Sequence, residues 1–240
     1  MSVILGIHKF LSRNLFYPIV LSTFLVFGYF AGRVFLSNRI SYGFLPWNLF
    51  LAWLPYLFSL SMAAIHQFRP RWWWAQVIPG ALWLLFLPNA FYIMTDLIHL
   101  TQQLSIPIWY DAGLLAITAW TGIFLAVVSL HTVQGIVQSY LGTFLSWSFA
   151  LIVIGLSGYG VYLGRFLRWN SWDVLSDPVG IAYDSLDPLI NPLTNVDKIG
   201  FMIMYTSLFL VTYLTYAWLR PFNHTDEKHL KARIENVHNL

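Results

Sequence analysis

Six stretches of the chain are apolar for about twenty residues each, the length a helix needs to cross a bilayer core of roughly 30 Å while pairing its own backbone polar groups. They run over 15–36, 44–65, 73–94, 111–130, 143–163 and 199–219. Only 10% of the 240 residues are charged, against about 25% in soluble proteins, so a water-solvated surface cannot be covered. The 19 Phe, 13 Tyr and 12 Trp carry too much apolar surface for a disordered chain. The fold class expected is therefore all-α: a polytopic membrane protein, a bundle of about six transmembrane helices. We expect one transmembrane domain over 1–222, with 164–198 as an outer loop and 223–240 as a polar cytoplasmic tail. The first span follows Lys9 and Arg13 as a signal peptide would, but its apolar run is longer than a secretory core and lacks a small-residue cleavage site, so it is read as an anchor.

Charge placement orients the bundle. The face carrying the N-terminus collects 8 Lys/Arg near span ends and the opposite face 5, which puts both termini in the cytoplasm. Trp72, Trp73 and Trp74 beside Arg69 and Arg71 mark the inner boundary of the third span, where amphipathic rings prefer headgroups. No Lys/Arg-rich block tracks phosphates along a strand, which argues against a nucleic-acid partner. With no cysteine there is no disulfide framework, thiolate nucleophile or Cys-ligated metal. The middles of all six spans lack Asp, Glu, Lys and Arg, which counts against an ion-coupled transporter.

The polar chemistry gathers toward one surface. Asn89, Tyr92, Asp96, His99 and Gln103 recur at spacings of 3, 4, 3 and 4. In an α-helix that places them within an arc of roughly 80° on one face. Pro88 removes a helical hydrogen bond just before this stripe and predicts a kink or break there. Either the stripe lines a wet cavity, or the segment after Pro88 lies on the outer surface with its polar side in water. Asp96 and His99 at i and i+3 are the candidate catalytic pair, as a carboxylate fixing an imidazole tautomer. The same two could share a metal if Asp111 or Asp173 added ligands, or form a structural hydrogen-bonded pair. Two residues at that spacing fall far short of a metal motif, so neither a metal nor a cofactor is assigned.

Asp111 opens the fourth span, where a carboxylate caps free N–H groups, unless the helix starts earlier and turns Asp111 into the bundle mouth beside Asp96. Beyond the fifth span runs Gly164-Arg165-Phe166-Leu167-Arg168-Trp169-Asn170-Ser171-Trp172-Asp173. Arg165 and Arg168 lie one turn apart, suited to bidentate contact with a carboxylate or phosphate, and equally to snorkelling at a helix end. Gly160 and Gly164 form a small-xxx-small pair that admits another helix closely. From 174 to 198, Asp177-Pro178, Asp187-Pro188 and Asn191-Pro192 predict turns that interrupt any long helix, while Val179, Ile181, Leu186 and Leu189 suggest a lid folding back over the outer mouth.

The runs Pro88-Asn89-Ala90-Phe91-Tyr92-Ile93-Met94-Thr95-Asp96-Leu97, Trp109-Tyr110-Asp111 and Arg165-Phe166-Leu167-Arg168-Trp169-Asn170-Ser171-Trp172-Asp173 resemble the bacterial integral-membrane family called domain of unknown function 1361. The likeness extends from about the second span to the sixth. In that family a second proline often follows the position of Ala90, where this chain has Phe91. The resemblance implies a multi-pass protein of the bacterial cytoplasmic membrane and carries over no activity.

The reading from sequence is a shared outer vestibule lined by Asn89, Tyr92, Asp96, His99, Asp111, Arg165, Arg168, Asn170, Trp172 and Asp173. Cations, carboxylates and flat aromatic walls suit a membrane lipid or another amphiphile with an anionic head, or a partner, held without catalysis. Two rivals stay open: an enzyme acting on a lipid-linked or anionic-headed substrate through Asp96 and His99, and an uncoupled transporter or channel. The oligomeric state is not legible.

Overall fold

A computed structural model describes residues 2–101 and 106–220; Gln103 and the tail 223–240 lie outside the described residues. Every regular element among them is helical. An N-terminal helix α1 (Ser2–Arg13), not expected from sequence, precedes α2 (Phe16–Ser37) and α3 (Phe44–Phe68). A 3-10 segment (Pro70–Gln76) leads into α4 (Val77–Tyr92), and a second one (Ile93–His99) continues it. Then come α5 (Ile108–Tyr162), ending in a π turn (Leu163–Leu167), the short α6 (Asp173–Ser176), α7 (Pro178–Ile190) and α8 (Val196–Leu219).

Among the described residues, five helical segments are long and apolar enough to cross a membrane, where about six spans were expected. The difference is α5. Gly142 breaks it with φ 81° and ψ 176°, a region open essentially to glycine alone. The arms on either side run antiparallel, because both meet α4 at the same two levels. Trp83 donates to Ser129 Oγ at 3.3 Å and stacks on Phe149 at 6.0 Å, while near the other end Gly122 touches Ala90 and Gly160 touches Pro88. One element thus makes two passes. The first arm extends well beyond the expected 130: Gln134 is buried and accepts from the Tyr213 hydroxyl of α8, and Gln138 is buried and donates to Thr143 Oγ1 just past Gly142.

The two arms of α5 with α3 and α4 form the core, and α2 and α8 flank it with large apolar side chains turned outward. Hydroxyls inside the spans donate back to the carbonyl one turn earlier, as Thr118 does to Leu114 and Ser157 to Val153, so they need no water. Trp72, Trp73 and Trp74 are more than half exposed at the foot of α4, with Arg69 over the Trp72 ring at 5.7 Å, as headgroup anchors would be.

α4 runs through Pro88 without a break. The Pro88 ring lies against Gly160, where a Cβ would stand only 2.6 Å from its Cγ. The helix changes geometry later, at Ile93, where it tightens to 3-10 turns. The missing second proline is filled by Phe91, which is buried and stacks on Phe209 with centroids 4.6 Å apart.

Candidate functional site

Helix direction brings the expected polar residues to one end of the bundle. α2, the 3-10 extension of α4 and the second α5 arm finish there, and α3, the first α5 arm and α8 start there. Against this end the structure places a cleft of about 930 Å³. Its upper wall is polar, with Asn48, Asn89, Tyr92, His99, Arg165, Arg168, Asn170 and Ser171. Its lower wall is apolar, with Leu51, Ala81, Leu84 and Leu85, and Trp47, Trp169 and Ile181 stand at its sides. From Tyr92 down to Ala81 is eleven residues of α4, about 16 Å, so the cleft reaches roughly one leaflet deep.

Arg165 is the hub. Its Nη1 and Nη2 approach His99 Nε2 at 3.3 and 3.2 Å, and Nη1 also donates to the Tyr92 hydroxyl at 3.4 Å. Guanidinium is a donor only, so His99 Nε2 must accept, and the ring is neutral with its proton on Nδ1. Asp96 is 2% exposed; its Oδ2 accepts from Asn48 Nδ2 at 2.8 Å, and its Oδ1 lies 4.0 Å from Arg165 Nη1. Asp96 and His99 therefore share Arg165, and among the described residues no hydrogen bond joins them to each other. His99 is further fixed by the Phe44 ring at 5.0 Å and by the Tyr42 hydroxyl, which donates to its carbonyl at 3.1 Å.

With three residues per 3-10 turn, Tyr92 and Asp96 no longer share the narrow arc that α geometry would give them. The helix rotates Asp96 inward onto Asn48 and leaves Tyr92 half-buried in the cleft wall. Asn89 donates to Ser171 Oγ at 2.8 Å, and Ser171 donates to the Leu85 carbonyl at 2.9 Å, which pins the segment after α5 to α4.

Arg168 takes a left-handed conformation at φ 59° just past the π turn and lines the cleft, exposed. Asn170 lines it too, yet its amide is engaged by Asp173 Oδ2 at 3.0 Å, and Asp173 also accepts the Asn170 backbone N–H at 2.7 Å. Asp173 thus closes a turn and is not a lining residue. Trp172 stands on the rim, edge-on to Trp47 at 6.4 Å.

Asp111 departs from the expected vestibule. Its helix does start earlier, at Ile108, and turns it inward, but toward Arg33. Arg33 Nε donates to Oδ1 at 2.7 Å and Nη2 to Oδ2 at 3.0 Å, both side chains are almost fully buried, and the guanidinium sits 4.5 Å over the Tyr42 ring. Asp111 is thereby outside the cleft, taken up by an internal ion pair between α2 and α5. Among the described residues no three His, Asp or Glu side chains converge as metal ligands.

Sequence reasoning missed Asn48, Ser171 as a clamp, and the role of Arg33. Asn48 was readable as a lone amide one turn inside an apolar span, and Arg33 as a cation three residues short of a span end on the face where cations are disfavoured.

The family model described as "Protein of unknown function (DUF1361)" matches residues 47–212. The chain belongs to that family. The match begins at Trp47 in the cleft wall and takes in Asn48, the stripe on α4, both α5 arms and the arginine-bearing run; Arg33 falls before it. No curated protein matches the chain, and no solved structure matches it.

Proposed function

We propose that this DUF1361 member binds a lipid or another amphiphile with an anionic head, without catalysis. The observation that carries the reading is the polarity gradient of the cleft: two arginines at its mouth and an aliphatic floor about one leaflet below. Arg168 supplies the charge for the head at the rim, and Arg165, positioned by His99 and Tyr92, backs it. Leu51, Leu84 and Leu85 receive the chain. The Lys/Arg distribution supports a topology in which the cleft opens at the extracytoplasmic face of a bacterial cytoplasmic membrane, with both termini inside. The outer loop 174–198, whose Val174 and Ile181 line the cleft, acts as the lid.

The rival enzyme reading needs Asp96 and His99 as one proton-transfer pair, and their separate engagement with Arg165 argues against it. A channel reading finds little support in so apolar an interior.

The test is thermal stabilisation of detergent-purified protein by dioleoylphosphatidic acid against dioleoylphosphatidylcholine. We expect the anionic lipid alone to raise the Tm, and Arg165→Gln with Arg168→Gln to abolish the difference. Leu84→Trp, which fills the floor, should weaken binding while leaving the protein folded. Equal stabilisation by both lipids, or an unchanged shift in the double arginine variant, overturns the proposal.

A further inference from the structure

The helix α7 is amphipathic the wrong way round for a segment facing water. At 100° per residue, Val179, Tyr183, Leu186 and Ile190 fall within an arc of about 60°. They are 77%, 79%, 50% and 67% exposed. The opposite face carries Asp184 and Ser185 and points at the bundle. Asp184 Oδ2 accepts from Trp169 Nε1 at 3.1 Å, the Ser185 carbonyl accepts from the Tyr159 hydroxyl, and Ile181 lines the cleft. Beyond the helix, Leu193 and Val196 are 89% and 61% exposed, and Ile203, two turns along α8 from Val196, is 60% exposed.

A helix seated in water turns its apolar side to the protein, and large contiguous apolar patches on a water-facing surface are rare. α7 also connects the end of one span to the start of the next, so its backbone stays at the level of the headgroups. We propose that α7 lies in the bilayer interface, with Val179, Tyr183, Leu186 and Ile190 immersed in the lipid of the leaflet next to the cleft. Its occupant is lipid and not a second copy of the chain, because α7 leads directly into α8, a span long and apolar enough to cross a membrane, whose exposed Val196, Ile203 and Val211 carry the same kind of outward apolar face. One helix then has both jobs: its inner face forms the cleft rim and its outer face rides on the leaflet, so the leaflet holds the rim in place. The inference rests on the membrane fold and does not require the cleft to bind anything.

The natural absence of cysteine allows single-site labelling. V179C, Y183C, L186C and I190C, with R39C in the α2–α3 loop as a water-facing reference, are labelled with an environment-sensitive fluorophore and reconstituted in vesicles of phosphatidylethanolamine and phosphatidylglycerol. Monodispersity before reconstitution certifies folding, and four positions guard against the loss of any one. The expected result is blue-shifted emission at all four sites, strong quenching by lipids spin-labelled high on the acyl chain, and iodide quenching several-fold weaker than at position 39. Iodide quenching equal to that at position 39 overturns the proposal. So does shielding from both quenchers together with disulfide-linked dimers of Y183C, which would identify a second copy as the cover. Failure of lipid binding in the thermal assay would leave these depths unchanged, so the two proposals fail separately.

Discussion

Removing the carboxylate of Asp111 should destabilise this protein more than any change in the cleft. Asp111 and Arg33 are 1% and 0% exposed and share two charge-assisted hydrogen bonds at 2.7 and 3.0 Å. Such bonds are worth about 1.5–3 kcal/mol each, which brackets the loss at about 3–6 kcal/mol. An independent route agrees: breaking one side of a buried ion pair costs roughly 3–5 kcal/mol, because the surviving charge is stranded without compensation. Asp111→Asn and Asp111→Leu should each fall in that range, read as the midpoint of unfolding in a denaturing detergent titration. Arg33→Met alone should cost a similar amount. The double variant Arg33→Met/Asp111→Leu removes both charges and leaves shape-filling side chains, so it should recover most of the stability, since buried pairs replaced by packed apolar groups are often neutral or better. The cycle therefore predicts a coupling energy of several kcal/mol of opposite sign to the single losses. A loss under about 1 kcal/mol in Asp111→Asn, or strict additivity in the double variant, would mean that water reaches the pair and that it does not tie α2 to α5.

Substitutions at three glycines and at Asn48 test packing and the site. Gly160→Ala drives a methyl into the Pro88 ring, whose Cγ and Cβ would lie 2.6 and 2.8 Å away, and should cost about 1–3 kcal/mol; Gly155→Ala, with nothing within 4 Å, should be neutral or stabilise by about 0.5–1 kcal/mol. Gly142→Ala should cost about 1–3 kcal/mol although open space surrounds its Cβ, because φ 81° with ψ 176° excludes a side chain; thermal unfolding reads both results. Asn48→Ala strips Asp96 of its 2.8 Å donor and should lower stability by about 1.5–3 kcal/mol, with Asn48→Gln recovering less than the full amount, measured in the same unfolding assay.

The apolar runs were legible because lipid imposes one rule on every backbone polar group, and that rule is written in composition and length. It located α2, α3, α4 and α8 to within a few residues, apart from an extra turn or so at some ends. It located the two arms of α5 as two spans, and they meet at the break at Gly142. What composition could not show was local geometry. The regular 3, 4, 3, 4 spacing presumes 3.6 residues per turn, and it held from Asn89 to Tyr92 and failed at Ile93, where the backbone tightened. Three prolines from Pro178 to Pro192 promised a broken loop, yet Pro178 sits at the start of α7, where its missing N–H costs nothing, and Pro188 is tolerated in its last turn.

The partners of charged residues were the least legible feature, since helix periodicity fixes which way a side chain leaves its own helix and not which helix meets it. Asp111 and Asp96 both turn inward at the same end of the bundle and were assigned to one vestibule. The structure gives each its own partner, Arg33 for one and Arg165 with Asn48 for the other. That division has a consequence for chemistry. With Asp111 neutralised inside the fold and Asp96 turned back from the cleft wall, the lining keeps Arg165 and Arg168 without an exposed carboxylate among its side chains. For the proposed binding of an anionic head, the burial of both acidic groups counts as much as the presence of the arginines.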